Sequence, residues 1–241
     1  MSDAKLEYVL RLGDNSLVLG QRLAEWLGHA PITEEDIASA NIALDLIGQA
    51  RLWLTCAGML EGKGRDEDAL AYHRDQHQFR NCTMVELPNG DFAFTVLRLF
   101  LFDAYQRVLL ERLALSSDAQ IAAIAAKSNK EVAYHFRHSA DWVIRLGDGT
   151  DESHRRAQDA LDSLWPYTHE LFVSDAVDPD AQALRAPWLA DVRAVLEEAT
   201  LEIPLDSKFL SQGRQGVHSE YLGRLLAEMQ VLQRTHPAAR W

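Results

Sequence analysis

The sequence predicts an all-α protein built as a bundle of long helices with shorter helices at one side, on three observations. No stretch sustains the apolar/polar alternation of a half-buried strand, and Val, Ile and Thr are sparse. Apolar residues recur instead at helical spacing over four stretches of about 24–28 residues, each about 36–42 Å long as a helix. The 7 prolines and 13 glycines among 241 residues fall mostly between these stretches, where helices end. Short connections between long helices make sequential neighbours antiparallel, and a single domain over residues 1–241 is expected.

The elements follow in order. Residues 5–28 carry Leu6, Val9, Leu10, Leu17, Leu23, Trp26 and Leu27 on one stripe, and His29-Ala30-Pro31 ends that helix. Thr33, followed by Glu34, Glu35 and Asp36, reads as an N-cap with acids in the first turn of a helix reaching Leu60. Gly62-Lys63-Gly64 stops it. A short helix over 66–75 leads through Gln76–Asn81 to another ending near Leu87. Pro88-Asn89-Gly90-Asp91 is a turn with a ready cap for a helix over Phe92–Leu115. Ser116-Ser117-Asp118 caps the next, which runs to Leu146 before Gly147-Asp148-Gly149-Thr150. A helix over 152–172 is interrupted or kinked at Pro166. Residues 173–186 read as loop, Pro187 opens a helix to Thr200, and Glu202–Gly216 is a polar loop. A last helix spans Glu220–Arg234.

Composition excludes several functions. Asp and Glu total 36 against 24 Lys and Arg, a net charge of -12, and no basic run offsets it, so neither nucleic acid nor a membrane surface is an expected partner. Val96–Leu115 is the most apolar stretch, but Arg98, Asp103, Arg107, Glu111 and Arg112 break it, and it is no membrane span. The N-terminus lacks the apolar core of a signal peptide, which points to a cytoplasmic protein. Cys56 and Cys82 form no CxxC pair or zinc motif, and a bridge between the two is left open. GxGxxG, P-loop and GxSxG motifs are absent.

Polar groups on the apolar stripes are the chemical signal, because an unpaired buried carboxylate is expensive. Asp45, Asp103 and Glu131 lie near the middles of three long helices, with His135 one turn beyond Glu131. Mid-bundle carboxylates with a Glu/His pair are ingredients of a di-iron centre, which wants a Glu from each of two helices and Glu-x-x-His from the other two. The spacing departs from that pattern. Gly48 stands at i+3 from Asp45, Tyr134 stands at i+3 from Glu131, and the first helix has no carboxylate between Asn15 and Ala24. The four residues therefore read as a vestigial set holding no metal, hydrogen-bonded instead to Lys127, Lys130, Arg107 or Tyr134.

Seven blocks carry a family resemblance. They are 10–15 (LRLGDN), 28–31 (GHAP), 40–51 (ANIALDLIGQAR), 78–81 (QFRN), 88–92 (PNGDF), 130–135 (KEVAYH) and 222–230 (LGRLLAEMQ). In this order the chain resembles, over essentially its whole length, the C subunits of phenylacetyl-CoA epoxidases in the phenylacetic acid catabolic protein family.

The resemblance implies a ferritin-like bundle in a multicomponent monooxygenase. A sister A subunit there holds the di-iron centre and epoxidises the aromatic ring, with electrons from NADPH through a separate reductase that carries FAD and an iron–sulfur cluster. The C subunit is implied to be structural, without a catalytic residue or cofactor of its own. Its implied partners are the A subunit, the small B subunit and phenylacetyl-CoA, with self-association when the chain is alone. The positions matching a substrate-contacting region are Gln78, Phe79, Arg80 and Asn81, with Pro179, Asp180 and Ala181 as a second candidate. Arg80 suits a CoA phosphate, and Gln78 and Asn81 suit the pantetheine amides; alternatively, 78–81 simply joins two short helices. The competing functions are a self-sufficient di-iron oxygenase or ferroxidase, and a freestanding acyl-CoA binding module.

Overall fold

The computed structural model describes residues 2–237 and 239. Its α-helices are α1 (Ser2–Glu25), α2 (Thr33–Glu61), α3 (Glu67–Tyr72), α4 (Thr83–Glu86), α5 (Phe92–Ala114), α6 (Ala119–Gly147), α7 (Asp151–Thr168), α8 (Arg185–Glu198) and α9 (Glu220–Thr235). Among the described residues the nearest approach to a strand is one antiparallel bridge between Gln212 and Val217. The protein is all-α. Two compact units divide it, residues 1–88 with 211–241 and residues 89–210.

In the first unit α1 and α2 pack lengthwise and antiparallel. Small residues set their separation: a Cβ at Gly13 would lie 2.8 Å from a Leu54 methyl, and one at Gly20 would lie 3.3 Å from the Ala43 carbonyl oxygen. Leu17, Leu23, Leu46, Trp53 and Leu54 fill the seam. The start of α2 differs from expectation. Its N-cap is Ile32, which offers no side-chain acceptor, and Thr33 is the first helical residue. Asp36 does the ordering instead, its Oδ1 accepting from the Gly28 and Ala30 amides at 3.1 Å each. A first-turn carboxylate that reaches back over the loop satisfies two of the loop's own amides. Cys56 and Cys82 are both buried and no disulfide joins them.

The second unit is built around α5, apolar on all sides and buried on nearly all of them. Its Asp91 cap accepts from the Phe94 amide at 2.9 Å, and Asp118 caps α6 through the Gln120 and Ile121 amides. Thr150 and Ser153 close a reciprocal cap on α7. Helix α7 runs through Pro166 to Thr168 before tightening into a 3-10 turn, His169–Phe172. Helix α8 starts two residues earlier than expected, at Arg185, so Pro187 falls in the first turn, where its missing N–H removes no helical bond. Trp188 anchors α8: its indole N–H donates to the Leu101 carbonyl at 3.1 Å, and its ring packs against Trp165 and Phe172.

Candidate functional site

The strap between α3 and α4 holds the densest polar network of the first unit. Asp14, fully buried in α1, meets Arg74 in a two-pronged ion pair, with Arg74 Nη1 donating to Oδ2 at 2.9 Å and Nη2 to Oδ1. The Arg80 amide donates to the same Oδ2 at 2.8 Å, and the Arg74 guanidinium lies over the Phe79 ring, 4.3 Å from its centroid. Two residues on, the Cys82 amide donates to Asn15 Oδ1 at 2.8 Å. These bonds pin an irregular strap against α1 at both ends.

Glu86 organises the other side. Its carboxylate accepts from Asn81 Nδ2 at 2.8 Å, from the Ser219 amide at 2.6 Å and from His218 Nδ1 at 2.7 Å. His218 Nε2 lies 3.0 Å from the Phe79 carbonyl, and both His218 and Glu86 side chains are wholly buried. The Phe79 carbonyl calls for a proton on Nε2, and one further proton bridges Nδ1 and the Glu86 carboxyl. Arg22 from α1 closes the group by donating twice to the Glu86 carbonyl, at 3.1 and 2.7 Å.

This network fixes the surroundings of the first set of candidate binding residues. Phe79 and Asn81 are buried within it. Gln78 is exposed, but its Oε1 accepts from the Asp75 amide and completes a cap on the short 3-10 turn. Arg80 is half-buried; its guanidinium donates to the His77 and Phe79 carbonyls and pairs with Glu7 at 2.8 Å. Of the second set, Pro179 and Asp180 are exposed and Ala181 is buried at the start of a 3-10 turn. Arg112 of α5 holds that loop, donating to Asp178 Oδ2 at 2.9 Å and to the Asp180 carbonyl at 3.2 Å.

In the second unit Asp103 is fully buried on α5. Ser139 of α6 lies 3.0 Å from its Oδ2, while Oδ1 has no hydrogen-bond partner among the described residues. Burial pushes the carboxyl well above the usual carboxylate range, against the opposing pull of the Ser139 hydroxyl. The Ser139 hydroxyl has one hydrogen to share between Asp103 Oδ2 and the His135 carbonyl, each 3.0 Å from its Oγ.

The expected partners of Asp103 are elsewhere. Arg107 pairs with Asp191 of α8, Lys127 and Lys130 are exposed, and the Tyr134 ring is about half exposed and stacks on His138. Asp45 and Glu131 are half-buried, not core residues, and Asp45 belongs to the first unit whereas Asp103, Glu131 and His135 belong to the second. Among the described residues no three His, Cys, Asp or Glu side chains cluster with the geometry of a metal site. A carboxyl sealed against a serine, a glycine where one histidine belongs and an outward tyrosine where the other belongs do not fit a di-iron centre.

Sequence reasoning missed Asp14, Arg74, Glu86 and His218. Asp14 stands one residue before the window searched on the first helix, and Asp14-Asn15 sits inside a block that carried the family resemblance.

Comparison with known proteins matches the whole chain. Residues 1–241 fit the family model described as phenylacetic acid catabolic protein. The C subunit of the 1,2-phenylacetyl-CoA epoxidase of Escherichia coli strain K12 is 50% identical over 243 residues, covering 97% of this chain and 98% of that protein. Among the described residues no helix is long and apolar enough to cross a membrane. With a match that runs from end to end, this chain belongs to the phenylacetic acid catabolic protein family.

Proposed function

We propose that this chain is the C subunit of a phenylacetyl-CoA epoxidase and serves it as a non-catalytic scaffold for a di-iron A subunit. The supporting observation is Asp103: it is the one fully buried mid-helix carboxyl of the candidate set, its Oδ2 meets a serine hydroxyl, and among the described residues no three possible ligands cluster. A di-iron centre needs several carboxylate and imidazole donors converging on one point. In this reading electrons travel from NADPH through the FAD and iron–sulfur reductase to the A subunit, and the small B subunit is the remaining member of the complex. The Gln78–Asn81 strap acts as a structural clamp, since the Arg80 amide, the Arg80 guanidinium and Asn81 Nδ2 are committed to Asp14, backbone carbonyls and Glu86.

The test is iron content after anaerobic reconstitution of the chain alone and together with its A subunit. Iron is expected to follow the A subunit, and epoxidation of phenylacetyl-CoA to require both chains. Two irons per chain on the isolated protein, with a di-iron absorption band, would overturn the reading. The clamp is tested separately: Arg80→Ala is expected to leave the KM for the thioester in the assembled enzyme unchanged, and a large rise would return Arg80 to substrate binding.

A further inference from the structure

The turn that opens α5 is Pro88-Asn89-Gly90-Asp91, and Asn89 in it differs from every other asparagine of the chain. Asn15, Asn41 and Asn129 lie inside α1, α2 and α6, where the amide that follows each is part of a helix. Asn81 lies outside a helix, but it is buried, and the next amide, that of Cys82, donates to Asn15 Oδ1. Asn89 is half-buried, outside any helix, and followed by the exposed Gly90. Glycine is required there, because a Cβ would lie 2.9 Å from Phe94 Cβ, and without one the nitrogen is unhindered. Among the described residues the Gly90 amide donates to no acceptor. Its N–H is left to solvent.

Arg98 supplies the second observation. From α5 its fully buried side chain donates through Nη2 to Asn89 Oδ1. A guanidinium only donates, so the atom it meets is the carbonyl oxygen, and the orientation of the Asn89 amide is fixed. A cation on that oxygen draws electrons away from Cγ and stabilises the charge that develops on Oδ1 when a nucleophile adds. The contact that anchors the turn therefore also activates the side-chain carbonyl, beside a backbone nitrogen that no acceptor engages.

We propose that Asn89-Gly90 is a self-deamidation site, in which the Gly90 nitrogen closes on Asn89 Cγ while Arg98 holds the oxyanion. Solvent hydroxide takes the Gly90 amide proton, the N–Cγ bond forms, and negative charge gathers on Oδ1 beside the guanidinium. The charge returns as the Cγ–Nδ2 bond breaks, and the nitrogen leaves as ammonia with a proton from water, which regenerates the hydroxide. A second water opens the five-membered imide at either carbonyl, leaving aspartate or isoaspartate at position 89. The balance is one water consumed and one ammonia released. The aspartate product sets a carboxylate against the Arg98 guanidinium. The isoaspartate product lengthens the main chain by one methylene, two residues before the Asp91 cap that holds the Phe94 amide. Chains thus change charge and backbone with age at the start of the central helix of the second unit. The chemistry is independent of the epoxidase reading.

Incubation of the full chain at neutral pH tests it, read by ammonia release and by a gain of one mass unit on the peptide that holds residue 89. The folded chain is compared with the same chain unfolded in urea. An unactivated turn reacts more slowly folded than unfolded, because the unfolded chain samples the closing geometry freely. Activation by Arg98 reverses that order. The folded chain is expected to react at least about tenfold faster, a factor that corresponds to about 1.4 kcal/mol of barrier. Arg98→Met is expected to slow the reaction by about tenfold or more. Asn89→Gln is expected to leave position 89 unmodified, because the longer side chain must close a six-membered ring. A folded wild-type chain that reacts no faster than the unfolded one overturns the inference, and that comparison needs no variant. An Arg98→Met chain that keeps its helical circular dichroism and reacts as fast as wild type overturns it as well. So does ammonia release with residue 89 intact.

Discussion

A carboxyl group with one hydroxyl for company makes folding depend on pH in a definite direction. Because burial raises the proton affinity of Asp103, the folded chain binds more protons than the unfolded chain once pH exceeds the ordinary aspartate value of 3.8. The contribution of Asp103 is full below that value and is lost as pH rises toward the folded one. Asp103→Asn keeps the shape and a donor for Ser139 Oγ but has no proton to lose. Its melting temperature at pH 8 is expected to exceed that of wild type by a few degrees, about 2–4 °C for each kcal/mol in a chain of this size. Its stability is also expected to vary less between pH 5 and pH 8. Thermal melts across that range decide it, and a variant that melts lower at pH 8 would mean that the ionised form is favoured. Asp14 is the contrasting case, since Arg74 compensates it directly. Arg74→Met leaves a buried carboxylate without its partner and is expected to lower stability by about 3–5 kcal/mol. Urea denaturation measures this, and Asp14→Leu in the same chain should recover much of the loss; failure to recover would show that Arg74 acts through the Phe79 ring instead.

Elements were legible in the sequence wherever their cause was local. The four long helices, the Asp91 and Asp118 caps and the break after Gly147 depend on residues within a turn or two, and the structure places them where the pattern does. Thr33 is not the cap because the helix already begins with it: Ile32 holds the capping position, and Asp36 ties down the preceding loop. Asp103 stood out by interrupting an apolar run, but its partner did not, because Ser139 is an ordinary helical serine 36 residues away. The strap was least legible. Its bonds join Asp14 to Arg74 across 60 residues and Glu86 to His218 across 132, and no periodicity encodes either pairing. Glu86 holds residues 218–219 against the strap through His218 and the Ser219 amide. Glu86→Gln puts an amide nitrogen at one of two oxygen positions, and both face a donor, Asn81 Nδ2 at one and the Ser219 amide at the other, so at least one contact is lost. Amide hydrogen exchange is expected to quicken at Gly213 and Ser219, by about tenfold for each 1.4 kcal/mol lost. Exchange that stays as slow as in wild type would assign the hold to Arg22 and its bonds to the Glu86 carbonyl.

At the scale of the whole molecule, a match covering 97% of one chain and 98% of the other leaves little room for a missing or added element. The 50% of positions that differ must then be changes the same succession of helices tolerates. Under the proposed role the surface that meets the A subunit is constrained from both sides, whereas the rest of the exterior is free to drift. The chain is therefore expected to replace the Escherichia coli C subunit in a reconstituted epoxidase. An interface that has drifted by about 1.4 kcal/mol binds tenfold more weakly, which raising the concentration of this chain tenfold restores. Titrating this chain into the E. coli components lacking their C subunit, and following epoxidation of phenylacetyl-CoA, reads that concentration dependence. Saturation at the rate of the native complex, shifted only in concentration, is the behaviour of a scaffold: it sets how much complex forms and leaves the chemistry to its partner. A plateau at a much lower rate would instead show that the C subunit shapes the catalytic step, because a scaffold that acts through assembly alone cannot change turnover once every partner is bound.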